Sequence, residues 1–275
     1  MNYRHAFHAG NHADVLKHLI LAATLRRMTR KDAPLAVLDT HAGIGRYDLT
    51  SDAAARSPEW RDGIGRLRDA TDAPDAPDAV RFYLDVVGAS PDAYPGSPAI
   101  ALALLRPSDR YIACELHPED AIALRAAIGR DARANIHVRD GFAAVAALLP
   151  FKERRGLVLI DPPYEADDEI IRSVAAIRTV VQRFRQAAIL WWRPIKAGGI
   201  IDAADRELAL LGLESARFDL AVDAPRAKGG LKASSVLAIN PPHGLTEEID
   251  ESLQYLAPRL AQSADARYMI ARAAP

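Results

Sequence analysis

Short apolar runs recur along the chain: "LAVLDT" (35–40), "YIACEL" (111–116), "NIHVRD" (135–140), "GLVLID" (156–161), "AAILWW" (187–192), "RFDLAV" (217–222) and "SSVLAIN" (234–240). Between most of them lie stretches whose apolar positions fall three and four apart, such as "PEDAIALRAAIGRDA" and "DDEIIRSVAAIRTVVQRF". Buried strands alternating with amphipathic helices predict an α/β fold, a doubly wound and mostly parallel sheet of seven strands. The last two runs are joined only by "DAPRAKGGLKA", too short for a crossover helix, so a final antiparallel hairpin is expected. Residues 48–93 break the alternation with helical patterns around "WRDGIGRLRDA" and "AVRFYLDVVG", separated by a Pro/Asp linker. They read as a small inserted helical subdomain. Residues 1–47 and 94–275 then form the main domain.

The run "GLVLIDPPYE" (156–165) asks for a chemical reason. Prolines cannot donate to a sheet ladder, so Pro162 and Pro163 mark where the strand leaves the sheet. Asp161 is thereby set at a carboxyl end, the edge where open α/β sheets bind ligands. The plainer reading, a strand exit with a surface tyrosine, carries less weight. Three further runs also end in acids, Asp39, Glu115 and Asp140. Independent strand-end caps would rarely line up so well.

"VLDTHAGIGRY" (37–47) is a strand followed by a glycine loop in which Gly43 and Gly45 permit close backbone approach to a ligand. The third glycine of a dinucleotide fingerprint would fall at Asp48, so a dehydrogenase is a poor reading. Glu115 suits the two hydroxyls of a ribose, since a carboxylate can accept from both. It lies far beyond the usual spacing of about 20 residues from the glycine loop, as the insertion requires. Asp140, followed by Gly141, could accept from an adenine amino group.

Composition narrows the class. The chain has 275 residues, 49% of them hydrophobic and 26% charged, as in ordinary globular proteins. No apolar run approaches the roughly 20 residues of a membrane span, and the N-terminal segment lacks the apolar region of a signal peptide. Cys114 is the only cysteine, which excludes an internal disulfide and any multi-cysteine metal site. A cytoplasmic address, no membrane and a monomer are expected. A net charge of −1 excludes a protein that grips nucleic acid mainly by neutralising phosphates. Any such partner would meet a local patch or a pocket for one nucleotide; Arg26, Arg27, Arg30 and Lys31 or the loop "RAKGGLK" are candidate patches, though such runs are more often solvated faces. His8 and His12 could hold zinc, but no third ligand is near and no metal is expected.

Taken in order, the glycine loop, the ribose acid, the third-strand Asp and "DPPY" resemble the class I, Rossmann-like S-adenosylmethionine-dependent methyltransferases that act on planar nitrogens. "YRHAFHAGNHADVLKH", "LDTHAGIGRY", "YPGSP", "ELHP", "RDGF" and "LIDPPYE" together resemble a narrower family, the bacterial 23S ribosomal RNA adenine-N6 methyltransferases of the J type. The resemblance covers essentially the whole chain and is poorest in the insertion. It implies S-adenosylmethionine as cofactor and 23S ribosomal RNA as partner. It implies cofactor contacts from His18, His41, Gly43, Ser97, Glu115, Asp140, Gly141 and Asp161, catalysis by Asp161, Pro162 and Tyr164, and substrate contacts from Tyr3 and Tyr164. DNA-adenine or protein-amide methylation, or an inactive RNA-binding module, remain the alternatives. A second "NPPH" (240–243) follows the last strand and is expected to be a rigid wall of the pocket.

Overall fold

The computed structural model describes residues 4–68, 73–88, 90–195, 199–224 and 230–273. Ten strands are found among them: β1 (Ala36–Asp39), β2 (Arg46–Asp48), β3 (Ala93–Pro95), β4 (Arg110–Glu115), β5 (Ala134–Val138), β6 (Gly156–Ile160), β7 (Ala188–Pro194), β8 (Ser215–Ala221), β9 (Ala233–Ile239) and β10 (Arg267–Ala273). Eight form one sheet in the order β10-β8-β9-β7-β6-β1-β4-β5. The five strands from β7 to β5 in that order run parallel to one another. β9 is antiparallel to both β7 and β8, which is the expected hairpin. The sheet has one strand more than predicted, because β10 adds antiparallel to β8 at the edge. Its "RYMIARA" alternates exposed and half-buried positions, as an edge strand does, and so lacks the continuous apolar run that marks the central strands.

The helices are α1 (His12–Met28), α2 (Asp52–Arg56), α3 (Ile64–Arg68), α4 (Asp78–Val87), α5 (Ser97–Leu104), α6 (Pro118–Ile128), α7 (Gly141–Leu148), α8 (Glu169–Arg183), α9 (Ile200–Ala209) and α10 (Leu245–Leu260). Strand side chains alternate between two cores: Val37 faces the layer built with α1, α4, α5, α6 and α10, while Ala36 and Leu38 face α7, α8 and α9. The segment after β1 leaves and returns through a two-stranded ribbon, β2 with β3, in which Tyr47 stands opposite Tyr94. Ile64, Leu67, Val80 and Tyr83 from between those strands join the same core as α1.

Helix α1 is capped by Asn11, whose side-chain oxygen accepts from the amides of Ala13 and Asp14. Every residue from His12 to Leu25 is buried, so the helix lacks a solvent face. That burial encloses Asp14, Lys17 and His18 as well as the apolar residues, which makes them the unusual positions. No helix among the described residues is long and apolar enough to cross a membrane.

Candidate active site

The parallel strands place Thr40 and His41, Glu115, Asp140 and Asp161 along one edge, and the N-terminal part of α1 closes over it. A single cleft is lined there by His18, His41, Gly43, Ser97, Glu115, Asp140, Gly141, Asp161, Pro162 and Tyr164. Tyr3 lies outside the described residues. The glycine loop turns through Gly43 and Gly45, with φ of 61° and 81°, a backbone that L side chains rarely adopt. The Gly43 amide donates to Glu115 Oε2 at 2.9 Å, and the His117 amide donates to Oε1 at 2.8 Å. Burial raises the Glu115 pKa against these two bonds.

Asp39, the fourth strand-end acid, is turned inward beneath the loop. Its Oδ2 accepts from Ser97 Oγ at 2.6 Å and from the Tyr111 hydroxyl at 2.7 Å. Burial pushes its pKa up to about 6. Ser97 thus spends its proton on Asp39. Asp140 does the work of a helix cap as well as lining the cleft: Oδ1 accepts from the amides of Phe142 and Ala143, and Oδ2 pairs with Arg172 at 2.5 Å. The Arg172 guanidinium in turn lies 4.4 Å from the Phe142 ring centroid.

Residues not singled out in the sequence complete the site. Lys17 Nζ sits 2.6 Å from Asp161 Oδ2 and 2.9 Å from Asp14 Oδ1. His5 Nε2 is 2.9 Å from Asp14 Oδ2. Burial alone would lower the Lys17 pKa, but Asp14 and Asp161 outweigh it and raise it well above the usual lysine value. Burial would likewise raise that of Asp14, yet His5 and Lys17 hold it well below the carboxylate range. Asp161 Oδ1 accepts no hydrogen bond from the described residues. Two charged residues at i and i+3, beside the expected His18 in a helix otherwise rich in Leu, Ile and Ala, were the available signal for Asp14 and Lys17.

Tyr164 has a φ of 56°, a left-handed backbone that a bulky residue holds only under constraint. Its hydroxyl accepts from Trp191 Nε1 at 2.7 Å and donates to the Trp192 carbonyl at 2.6 Å. The ring is therefore fixed in the cleft wall beside Trp192.

One expectation is corrected. Because β9 is antiparallel, Ile239 pairs with Ile189 near the start of β7, and the following Asn240–His243 lies at the edge opposite the cleft. Asn240 Nδ2 donates to the carbonyls of Arg185 and Ala187 there, so "NPPH" is no wall of the pocket. The cluster at the end of α1 also lies remote, about 25 Å along the helix from its start. Arg26 pairs with Asp78 and Glu248, and Arg27 with Glu248 and the His243 carbonyl. The other basic loop does reach the cleft, through Leu231, while Arg226 and Lys228 lie outside the described residues.

The glycine loop, Glu115 and the proline-bounded Asp161 thus stand around one cleft. The model of the family described as Ribosomal RNA large subunit methyltransferase D, RlmJ, matches residues 32–270. The chain belongs to that family. It is similar to "Ribosomal RNA large subunit methyltransferase J" of Haemophilus influenzae, with 39% identity over 94% of each chain, and to that of Escherichia coli K12, with 38% over the same shares. A crystal structure of a Legionella pneumophila protein superimposes with a TM-score of 0.88 at 31% identity, covering 96% of this chain and 98% of that one. The sheet described above is therefore the family's sheet, and β10 is set within a fold that the Legionella protein shares almost end to end.

Proposed function

We propose that this enzyme moves a methyl group from S-adenosylmethionine to the exocyclic N6 of an adenine in 23S ribosomal RNA. The observation that carries the reading is that Asp161 and Pro162 line the same cleft as Gly43, Glu115 and Asp140. The cleft suits the cofactor in two respects. Glu115 keeps lone pairs for a ribose diol beyond the two amides it accepts. The carboxylates of Asp14, Glu115, Asp120, Asp140, Asp161 and Glu169 outnumber the cations Lys17 and Arg172 along the walls, a balance that favours a positively charged sulfonium. Gly43, Glu115, Asp140 and Gly141 would hold the nucleoside, with His18, His41 and Ser97 toward the methionine end. S-adenosylmethionine, when bound, supplies an activated methyl group.

The chain's own residues then solve a problem of nucleophilicity. An adenine amine is a poor nucleophile because its lone pair is delocalised into the ring. Two acceptors on its two N–H groups favour a more tetrahedral nitrogen and free that pair. Asp161 Oδ1 and the Pro162 carbonyl are those acceptors, and Pro163 stiffens the backbone that carries the carbonyl. Lys17 holds Asp161 Oδ2, which fixes the carboxylate's rotation and leaves Oδ1 for the amine. Oδ1 is also the atom on which the proton released by transfer is held. Positioning of this kind can supply several kcal/mol of barrier reduction, on the order of measured near-attack effects. Tyr164 offers a fixed ring for the base, worth about 1–3 kcal/mol. The base must arrive unpaired or flipped out. Tyr3 is proposed to meet the substrate nucleotide.

The test is competition for labelled methyl among 23S RNA, duplex DNA and protein acceptors, followed by nucleoside analysis. Label should appear in N6-methyladenosine from the RNA. Preference for duplex DNA, or label on a protein amide, would overturn the substrate assignment.

A further inference from the structure

His18 lines the cleft from α1, and its Nδ1 lies 2.7 Å from the Tyr94 hydroxyl. Tyr94 Oη lies in turn 2.9 Å from Tyr83 Oη. Both tyrosines are wholly buried. Tyr94 stands on β3 and Tyr83 on α4, so this line of polar atoms runs from the helices between β2 and β3 to the cleft. We propose that Tyr83 and Tyr94 are positioning residues that set His18 as its Nε2–H tautomer, so that it offers a hydrogen-bond donor to a carboxylate bound in the cleft.

The direction of the chain follows from its buried end. Among the described residues Tyr83 has Tyr94 as its only hydrogen-bond partner. If His18 Nδ1 carried the proton, it would donate to Tyr94, Tyr94 would donate to Tyr83, and the Tyr83 proton would be left without an acceptor. A buried donor left so is unfavourable. In the opposite sense every proton is placed: Tyr83 donates to Tyr94, and Tyr94 donates to Nδ1. The imidazole is neutral, since burial and then Lys17 lower its pKa to about 3. A neutral ring accepting at Nδ1 bears its proton on Nε2. That atom has no protein partner and is not sealed off among the described residues, so it opens on the cleft.

The identity of the carboxylate rests on the cofactor reading above: it is the methionine carboxylate of S-adenosylmethionine. The relay itself can be read without ligand. In protein labelled with 15N-histidine, long-range 1H–15N correlation should give His18 a protonated Nε2 and a bare Nδ1. A protonated Nδ1 in the wild type would overturn the relay. Calorimetry then tests its purpose. Tyr94→Phe should weaken S-adenosylmethionine binding about tenfold. It should leave 5′-methylthioadenosine, which lacks the amino-acid end, unchanged. Tyr83→Phe, the milder variant, leaves Tyr94 with His18 Nδ1 as the acceptor for its proton, so it should keep Nδ1 bare and lose less than Tyr94→Phe, with the same selectivity. Equal losses for both ligands would mean a merely structural role and refute the proposal. If the wild type bound neither ligand, the cofactor reading would fall, while the ligand-free tautomer would still decide the relay.

Discussion

At the scale of single residues, the cleft is organised by one buried cation. Lys17 stands between Asp14 and Asp161 with only 6% of its surface exposed. Removing one member of a buried ion cluster leaves the others uncompensated, which is far costlier than replacing the whole cluster. Lys17→Met should therefore lower stability at neutral pH by about 3 kcal/mol or more. Two carboxylates facing one another without a cation can relieve themselves only by taking up a proton. The deficit, measured by urea denaturation, should accordingly narrow as the pH is lowered toward about 4. A deficit independent of pH would show that packing of the lysine stem, not charge, was lost.

At the scale of elements, close approach explains residues that chemistry alone does not. A Cβ at Gly141 would lie 1.8 Å from the Thr40 carbonyl oxygen, because the start of α7 rests directly against the end of β1. Gly141→Ala should thus cost about 3 kcal/mol or more, seen as a large drop in melting temperature; a near-neutral effect would mean that α7 can shift without harm. The "DG" after β5 was legible as a ligand turn, yet its glycine is also set by this steric limit and its Asp by the capping of α7. Most of the predicted strands were legible because continuous apolar runs mark strands buried on both faces, as in β1 and β6; β5, at the sheet edge, is only half-buried. β2, β3 and β10 were not legible, being too short or too polar for that signal. Lys17 escaped notice for a different reason: a stripe of Val15, Leu19 and Ala22 reads as one apolar face, whereas α1 is covered all round, and only three dimensions bring its lysine to Asp161. "NPPH" misled because a sequence does not show that β9 runs against its neighbours.

At the scale of the whole molecule, the buried site leaves a mark on stability. His12, His18 and His41 are held neutral by burial, with pKa values of about 4, 3 and 4. In the unfolded chain they titrate near 6.5, so their contribution is complete above that pH and is lost as the pH falls. Asp39, raised to about 6, works in the opposite sense, holding a proton when folded that the unfolded chain has released. For these four groups, three protons against one leave about two taken up on unfolding near pH 5, a contribution to the slope of roughly 2–3 kcal/mol per pH unit, which the raised Glu115 reduces. Denaturation between pH 4.5 and 6.5 checks this; a flat profile would contradict the burial of the imidazoles. The central claim concerns how the folded enzyme treats one amine, and Asp161→Asn tests it most directly. The amide keeps an oxygen for Lys17 but turns a donor toward the substrate's N–H. Methyl transfer to 23S RNA should fall by about 10²–10³-fold or more, with S-adenosylmethionine affinity held within about threefold, whereas turnover near that of the wild type would contradict the account.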